Sequence, residues 1–419
     1  MKKSHKVFCL VLVFCLLLSS CLREESSNTE NKLAQQTDDK ANQTDATNQQ
    51  KEDDPQQGND PLLENTPSSK GEDNRMIHTA TEVVEQMTIG WNLGNTFDAT
   101  NSSLPKDAEP LKWETGWGNP VTTPELIQTI LDKGFNVIRI PVTWNDHLIG
   151  QDYQIEESWM DRVQEVVDYA YDQGAYVILN THHESWNHPY YANKEKGSTI
   201  LRAIWTQIAN RFCDYDEHLI FEGMNEPRKI GTPVEWTGGD EEGWEMVNEF
   251  NRIFIETVRA AGGNNPQRIL MIPAYGANCW VGMEHLEVPR EDDRIIVSVH
   301  AYEPYEFALN VSGRGNWNED TVNIDQIMAK LKTLFIDKGI PVVLGEFGAM
   351  TKSAEGNTKD RAAWAKYYVS AAGNIGVPCV WWDNGAFEGS GELFGIINRE
   401  TCEWQYPEIV EALLEGAGA

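Results

Sequence analysis

Between residues 88 and 383 the chain repeats one pattern: a short apolar run rich in β-branched residues, a polar turn, then a stretch with helical spacing. The runs are Thr88–Asn95, Asn136–Val142, Tyr176–His183, Leu219–Asn225, Arg268–Ala274, Arg294–His300, Val342–Phe347 and Val377–Asp383. Short apolar runs bounded by turn residues read as strands buried on both faces. Thr123-Pro124-Glu125 opens one of the intervening helices, with Pro in the first turn and Ile127, Ile130 and Leu131 on one face. Ser158–Tyr171 is another, carrying Met160, Val163, Val166, Val167 and Ala170, and Trp364–Ile375 and Tyr406–Leu414 follow later. Strands joined through helices pair in parallel, because a parallel neighbour needs a crossover. Eight of them within residues 75–419 predict an α/β fold, the closed (β/α)8 TIM barrel. An open doubly wound sheet is the alternative. It calls for a Gly-rich phosphate loop after the first strand, and Gly90-Trp-Asn-Leu-Gly-Asn95 lacks that spacing.

The N-terminus reads differently. Lys2, Lys3 and Lys6 precede an apolar core, Val7–Leu18, too short to span a bilayer comfortably. Leu18-Ser19-Ser20-Cys21 then resembles the lipobox of bacterial lipoproteins, which implies a signal peptide over 1–20 and a lipid on Cys21. Residues 21–74 are polar and poor in apolar groups, so a disordered linker is expected. The protein would then be extracellular or at the cell surface, held to a membrane only through its lipid, or released. The formal charge of −31 argues against nucleic acid as a partner, because a phosphate backbone would be repelled. Cys213, Cys279, Cys379 and Cys402 show no zinc-ligand spacing and read as buried free thiols. A monomer is expected, and no metal or organic cofactor.

In a barrel of this kind function gathers at the carboxyl ends of the strands. Polar residues gather there too: Asn95 and Asp98 after the first run, Arg139 in the second, His182, His183 and Glu184 after the third. Asn225 and Glu226 end the fourth, His300 and Tyr302 the sixth, Glu346 the seventh, and Trp381 and Trp382 the eighth. Pro227 cannot donate to a sheet ladder and biases Glu226 away from helix, so Glu226 should stand where a strand stops. Two carboxylates across a barrel mouth suit glycoside hydrolysis: a pair about 5–5.5 Å apart retains configuration, a wider pair inverts it. The acid/base needs an environment that raises its pKa, and the nucleophile must stay ionised, with Arg139 the nearest cation. Asn225 is placed to bind a sugar hydroxyl, and Trp381 to floor the sugar site.

The motifs Gly-Trp-Asn-Leu-Gly-Asn, Arg-Ile-Pro-Val-Thr-Trp, Asn-Thr-His-His-Glu, Asn-Glu-Pro, Val-His-Ala-Tyr, Gly-Glu-Phe-Gly and Trp-Trp-Asp-Asn-Gly occur in that order from Gly90 to Gly395. This ordered set resembles glycoside hydrolase family 5, a family of retaining (β/α)8 barrels. The resemblance implies Glu226 as acid/base and Glu346 as nucleophile. It implies Arg139, His182, Asn225, His300, Tyr302 and Trp381 as the substrate-binding shell, with Asn95, Asp98 and His183 as glycone-side contacts; Trp117 reads either as a further stacking platform or as the lid of the barrel. Glu114-Thr-Gly-Trp-Gly-Asn-Pro, Ala261-Gly-Gly-Asn-Asn and Val299-His-Ala-Tyr-Glu-Pro-Tyr look like its subfamily 4, which implies an endo-β-1,4-glucanase acting on β-glucan. The alternatives are a xyloglucanase, licheninase, xylanase or mannanase of the same clan and, more remotely, a glycan-binding lipoprotein without catalysis.

Overall fold

The computed structural model describes residues 78–352 and 356–418. The expected signal peptide, Cys21 and linker lie outside the described residues.

Eight parallel strands close on themselves: β1 (Ile89–Leu93), β2 (Val137–Ile140), β3 (Tyr176–Asn180), β4 (Leu219–Glu222), β5 (Leu270–Asn278), β6 (Ile295–His300), β7 (Val342–Phe347) and β8 (Cys379–Asp383). Each pairs with its neighbours in sequence, and β8 pairs with β1 through five registered residues, Ile89 with Cys379 to Leu93 with Asp383. Closure excludes the open sheet. The helices that carry the chain back are α1 (Pro124–Asp132), α2 (Glu157–Tyr171), α3 (Lys194–Arg211), α4 (Glu241–Arg259), α5 (Val322–Leu334), α6 (Thr358–Gly373) and α7 (Pro407–Ala417). Between β5 and β6 the return is made by a single 3-10 turn, Gly282–His285.

Local chemistry sets where these helices begin. The Thr123 hydroxyl accepts from the Leu126 amide and Pro124 occupies the first turn of α1. The Asp240 carboxylate accepts from the Gly243 amide at the start of α4. Ahead of β7 the chain turns at Gly339, whose φ of 73° is one that an L side chain rarely adopts.

Strand side chains alternate between two cores. Outward residues such as Trp91, Ile138 and Phe347 pack against the helices. Inward residues Val137, Ile178, Ile220, Met271, Ile296, Val343 and Val380 fill the barrel, and Val83, Val84 and Met87, from the short helix Ala80–Val84 and the turn after it, plug its amino end. Each such aliphatic side chain contributes about 1.5–3 kcal/mol by leaving water. Two residues further along the same strands the inward positions become polar: Arg139, Asn180, Glu222 and Ser298, all fully buried. The apolar floor therefore ends where the chemistry begins.

β7 breaks the alternation beside the site. Across the β7–β8 pair, Leu344 faces Cys379 and Phe347 faces Trp381, so three steps along β7 match two along β8. This bulge lets Leu344 and Phe347 both pack outward while Gly345 and Glu346 between them turn to the interior. A Cβ on Gly345 would lie 3.2 Å from Ser298 Oγ and 3.3 Å from His300 Nε2, closer than a side chain sits comfortably.

Candidate active site

Arg139 projects from β2 into the barrel and is fully buried. Its Nε donates to Glu222 Oε2 at 2.7 Å, Nη1 to Glu346 Oε1 at 2.8 Å and to Asn92 Oδ1 at 2.9 Å, and Nη2 to Asn225 Oδ1 at 2.8 Å. A guanidinium fork suits such a divided task, because its donors point in fixed directions. Glu222 is compensated as fully: Oε1 accepts from Ser298 Oγ at 2.6 Å and Oε2 also accepts from Asn180 Nδ2 at 3.1 Å. Asn92 Nδ2 donates to the Gly345 carbonyl at 2.9 Å, so it grips the bulge that presents Glu346. Tyr302 donates its hydroxyl to the second Glu346 oxygen at 2.8 Å. Burial and the Glu346 charge hold that phenol well above its ordinary pKa, so it stays a donor.

Glu226 stands past the end of β4, as Pro227 requires. His300 Nδ1 lies 2.8 Å from Glu226 Oε1 and 3.6 Å from Glu346 Oε2. An oxygen of each carboxylate and a nitrogen of His300 fall within 4.8 Å of one another. Burial pulls the imidazole down, but the Glu346 and Glu226 carboxylates on either side push it above its ordinary pKa. Burial pushes the Glu226 carboxyl up, yet the His300 hydrogen bond and charge, with Arg228 behind, bring it below its ordinary value. The expectation that its surroundings raise the Glu226 pKa therefore needs correcting for the free protein. Glu226 and His300 thus share one hydrogen bond, along which a proton can pass between them.

A cleft of about 270 Å³ opens beside Glu226, lined by His182, His183, Glu184, Arg228 and Ile230. His182 is buried, 3.1 Å from Asn180 Nδ2 through Nδ1, and stacks parallel to Trp382 with ring centroids 5.8 Å apart. Burial keeps its imidazole neutral. His183 is exposed at the rim, 5.6 Å from the Trp117 indole by ring centroids. Trp117 is 41% exposed, anchored by its Nε1 on the Thr100 carbonyl at 2.8 Å. The loop that carries it is pinned by a buried ion pair, Arg162 to both oxygens of Glu114.

Known proteins match this arrangement. A model of the cellulase family, glycosyl hydrolase family 5, matches residues 97–388. The chain belongs to glycosyl hydrolase family 5. Endoglucanase B of Neocallimastix patriciarum is 53% identical over 342 residues, 80% of this chain and 72% of that protein. Endoglucanase 1 of Ruminococcus albus is 46% identical over 83% of this chain and 84% of its own. Among solved structures, a broad-specificity endoglucanase of subfamily 4 from Ruminococcus champanellensis, with bound cellotriose, superposes with a TM-score of 0.78 at 45% identity, over 82% of this chain and all of that one.

Within this family 5 site, Glu346, Arg139, Asn225 and Tyr302 form one hydrogen-bonded group and Glu226 with His300 a second beside it, with His182 and His183 on the adjoining cleft wall. Two expected contacts need correction. Trp381 points away from the mouth: it is fully buried on the outer face of β8, beside Trp364 and Phe347, with Nε1 donating to the Phe394 carbonyl at 3.1 Å. The mouth-facing indole is Trp382, one residue on. Asp98 is fully buried; its oxygens accept from the Asn95 and Thr96 amides at 3.0 and 2.7 Å. It holds the β1 loop, including Asn95 at φ 55°, and has no surface for a sugar. Burial raises its carboxyl to about 6. Sequence reasoning passed over Asn92, Glu222 and Ser298. Their signal was polarity at inward positions two residues beyond the apolar layer.

Asp98, His182 and His183 also bring one metal-ligand-type atom each within 4.8 Å, as Glu226, His300 and Glu346 do. In the first group Asp98 is committed to backbone amides, and in the second Glu346 is held by Arg139 and Tyr302. All four cysteines among the described residues are free thiols, with Cys279 and Cys379 buried and Cys213 and Cys402 half-buried.

Proposed function

We infer that this chain is a retaining endo-β-1,4-glucanase that cuts internal bonds of soluble or amorphous β-glucans by double displacement. The observation that carries the reading is the approach of Glu226 and Glu346 oxygens to within 4.8 Å around His300. That approach supports a retaining pair, whose carboxyl groups stand about 5–5.5 Å apart, over an inverting pair at about 6.5–9.5 Å. The endoglucanase relatives and the cellotriose-bound neighbour support the substrate class.

In the first step a Glu346 oxygen attacks the anomeric carbon, the glycosidic C–O bond breaks, and Glu226 gives its proton to the departing oxygen. Glu226 draws that proton from His300 across the 2.8 Å hydrogen bond. Arg139 and Tyr302 fix Glu346 for attack. In the second step Glu226 takes a proton from water, whose oxygen displaces Glu346 from the anomeric carbon. Asn225, held by Arg139, lies next to the reacting centre, where it suits a sugar hydroxyl.

Reducing-end release from carboxymethylcellulose, barley β-glucan, xyloglucan, xylan and mannan tests the reading, with Glu346→Gln and Glu226→Gln alongside. Activity on the glucans that vanishes in Glu346→Gln is expected. Binding without cleavage by the wild type would leave a glycan-binding protein instead, and a preference for xylan or mannan would move it within the clan. The domain is proposed to sit at a membrane surface through lipid on Cys21, supported by the charged start, apolar core and Leu-Ser-Ser-Cys of residues 1–21. Release of activity from membranes in Cys21→Ala checks that.

A further inference from the structure

The motif Glu114-Thr-Gly-Trp-Gly-Asn-Pro120 contains a buried side chain that the reaction described above does not use. Asn119 lies between the loops that follow β1 and β8. Its Nδ2 donates to the Asn95 carbonyl at 2.8 Å on one loop and to the Asn384 carbonyl at 3.1 Å on the other. A side-chain amide has two N–H donors, so both are spent on joining the loops. The Gly94 carbonyl, 3.4 Å from the same nitrogen, is served instead by Arg399 Nη1 at 2.9 Å. Arg399 Nη2 donates to the Asp383 carbonyl at 2.6 Å, so this buried guanidinium bridges the two loops a second time. The motif itself is anchored elsewhere: Glu114 is paired with Arg162 of α2 and accepts from the Thr122 amide at 2.6 Å.

What the two loops carry shows what the brace is for. Trp382, the mouth-facing indole, lies against Gly94, where a Cβ would fall 2.8 Å from its Cη2 and Cζ2. Any shift of the β1 loop against β8 therefore moves Gly94 relative to that indole. β8 stands four places round the barrel from β4. Glu226, past the end of β4, must reach the departing oxygen, so the sugar that keeps the anomeric carbon lies toward the far wall, where β8 and β1 end. We propose that Asn119 is a positioning residue for that sugar: by joining the Asn95 and Asn384 carbonyls it fixes Gly94 against Trp382, and with them the wall on which the glycone is seated. This rests on Glu226 being the acid/base. Asn119 itself acts only through the loops it joins, and a wall held in advance costs the enzyme less ordering when substrate binds.

The test uses 4-nitrophenyl β-cellobioside, whose sugars lie on the glycone side alone. A looser wall weakens the bound substrate and the transition state alike, so Asn119→Ala raises KM about tenfold while kcat stays within about twofold. Asn119→Asp keeps the shape but turns an oxygen toward carbonyls that need a donor, and it raises KM at least as far. Thermal unfolding is followed in both variants. A role confined to the fold would lower the melting temperature and the active fraction, so that kcat falls and KM stays in place. That pattern, an unchanged KM in both variants, or failure of both to fold overturns the proposal. Failure of the underlying reading is seen separately, as full activity of Glu226→Gln on barley β-glucan.

Discussion

Arg139 Nη1 donates to Glu346 Oε1 at 2.8 Å, with both side chains buried at the carboxyl end of the barrel. One guanidinium orients the nucleophile, Asn225 and Glu222 together, so its geometry matters as well as its charge. A lysine supplies the charge without the fork. Arg139→Lys is expected to lower kcat on barley β-glucan by about 100-fold, with KM changed far less. Steady-state kinetics checks this, and an unchanged kcat would mean that charge alone suffices.

Glu222 touches no open space, yet Arg139, Asn180 and Ser298 all donate to it. Removing one partner of a buried ion pair leaves the other uncompensated. Glu222→Ala should destabilise the fold by about 3–5 kcal/mol, measured by denaturant unfolding. Glu222→Gln keeps the shape but offers an amide to three donors, and should fall between wild type and Glu222→Ala.

The His300–Glu226 pair predicts a pH signature. His300 is raised and Glu226 lowered, so the pair keeps its proton until pH passes the raised imidazole value. In His300→Asn the only proton store is Glu226 itself, an acid whose ordinary value lies well below that of histidine. The basic limb of kcat/KM should therefore move to lower pH, along with a loss of rate. A basic limb that stays in place contradicts proton sharing.

Glu184 should couple stability to pH. It is buried, accepting from the Trp144 amide at 2.7 Å and Trp186 Nε1 at 2.6 Å, and burial lifts its carboxyl from 4.5 to about 8. A raised acid binds its proton more tightly when folded, so the native state holds more protons than the unfolded one across that interval. Stability then falls as pH rises through it. Thermal unfolding between pH 5 and pH 9 should show the decline, and Glu184→Gln should flatten it.

Much of this was readable in the chain, for identifiable reasons. All eight strands showed because each is buried along nearly its whole length and reads as a short, largely apolar run. The site showed because polar residues cluster where those runs stop. The same unbroken burial hid facing: in Cys-Val-Trp-Trp-Asp nothing in the composition says which indole points inward, and the β1–β8 register shows that it is Trp382, level with Asn92. The β7 bulge was equally silent, since one extra residue changes no composition and yet turns Glu346 inward. Glu222 ends an apolar run as Glu226 ends its motif; only the barrel's interior shows that the first is enclosed and the second reaches the cleft. The 3-10 return between β5 and β6 was hidden because a short turn leaves no helical period.

The most direct test of the central claim is to trap the covalent intermediate. Wild-type protein is incubated with 2-deoxy-2-fluoro-β-cellobiosyl fluoride, digested, and its peptides mapped by mass spectrometry. The account predicts a single fluorocellobiosyl group on the peptide carrying Glu346. Label on any other residue, or steady turnover of β-glucan with no labelled peptide, would contradict it.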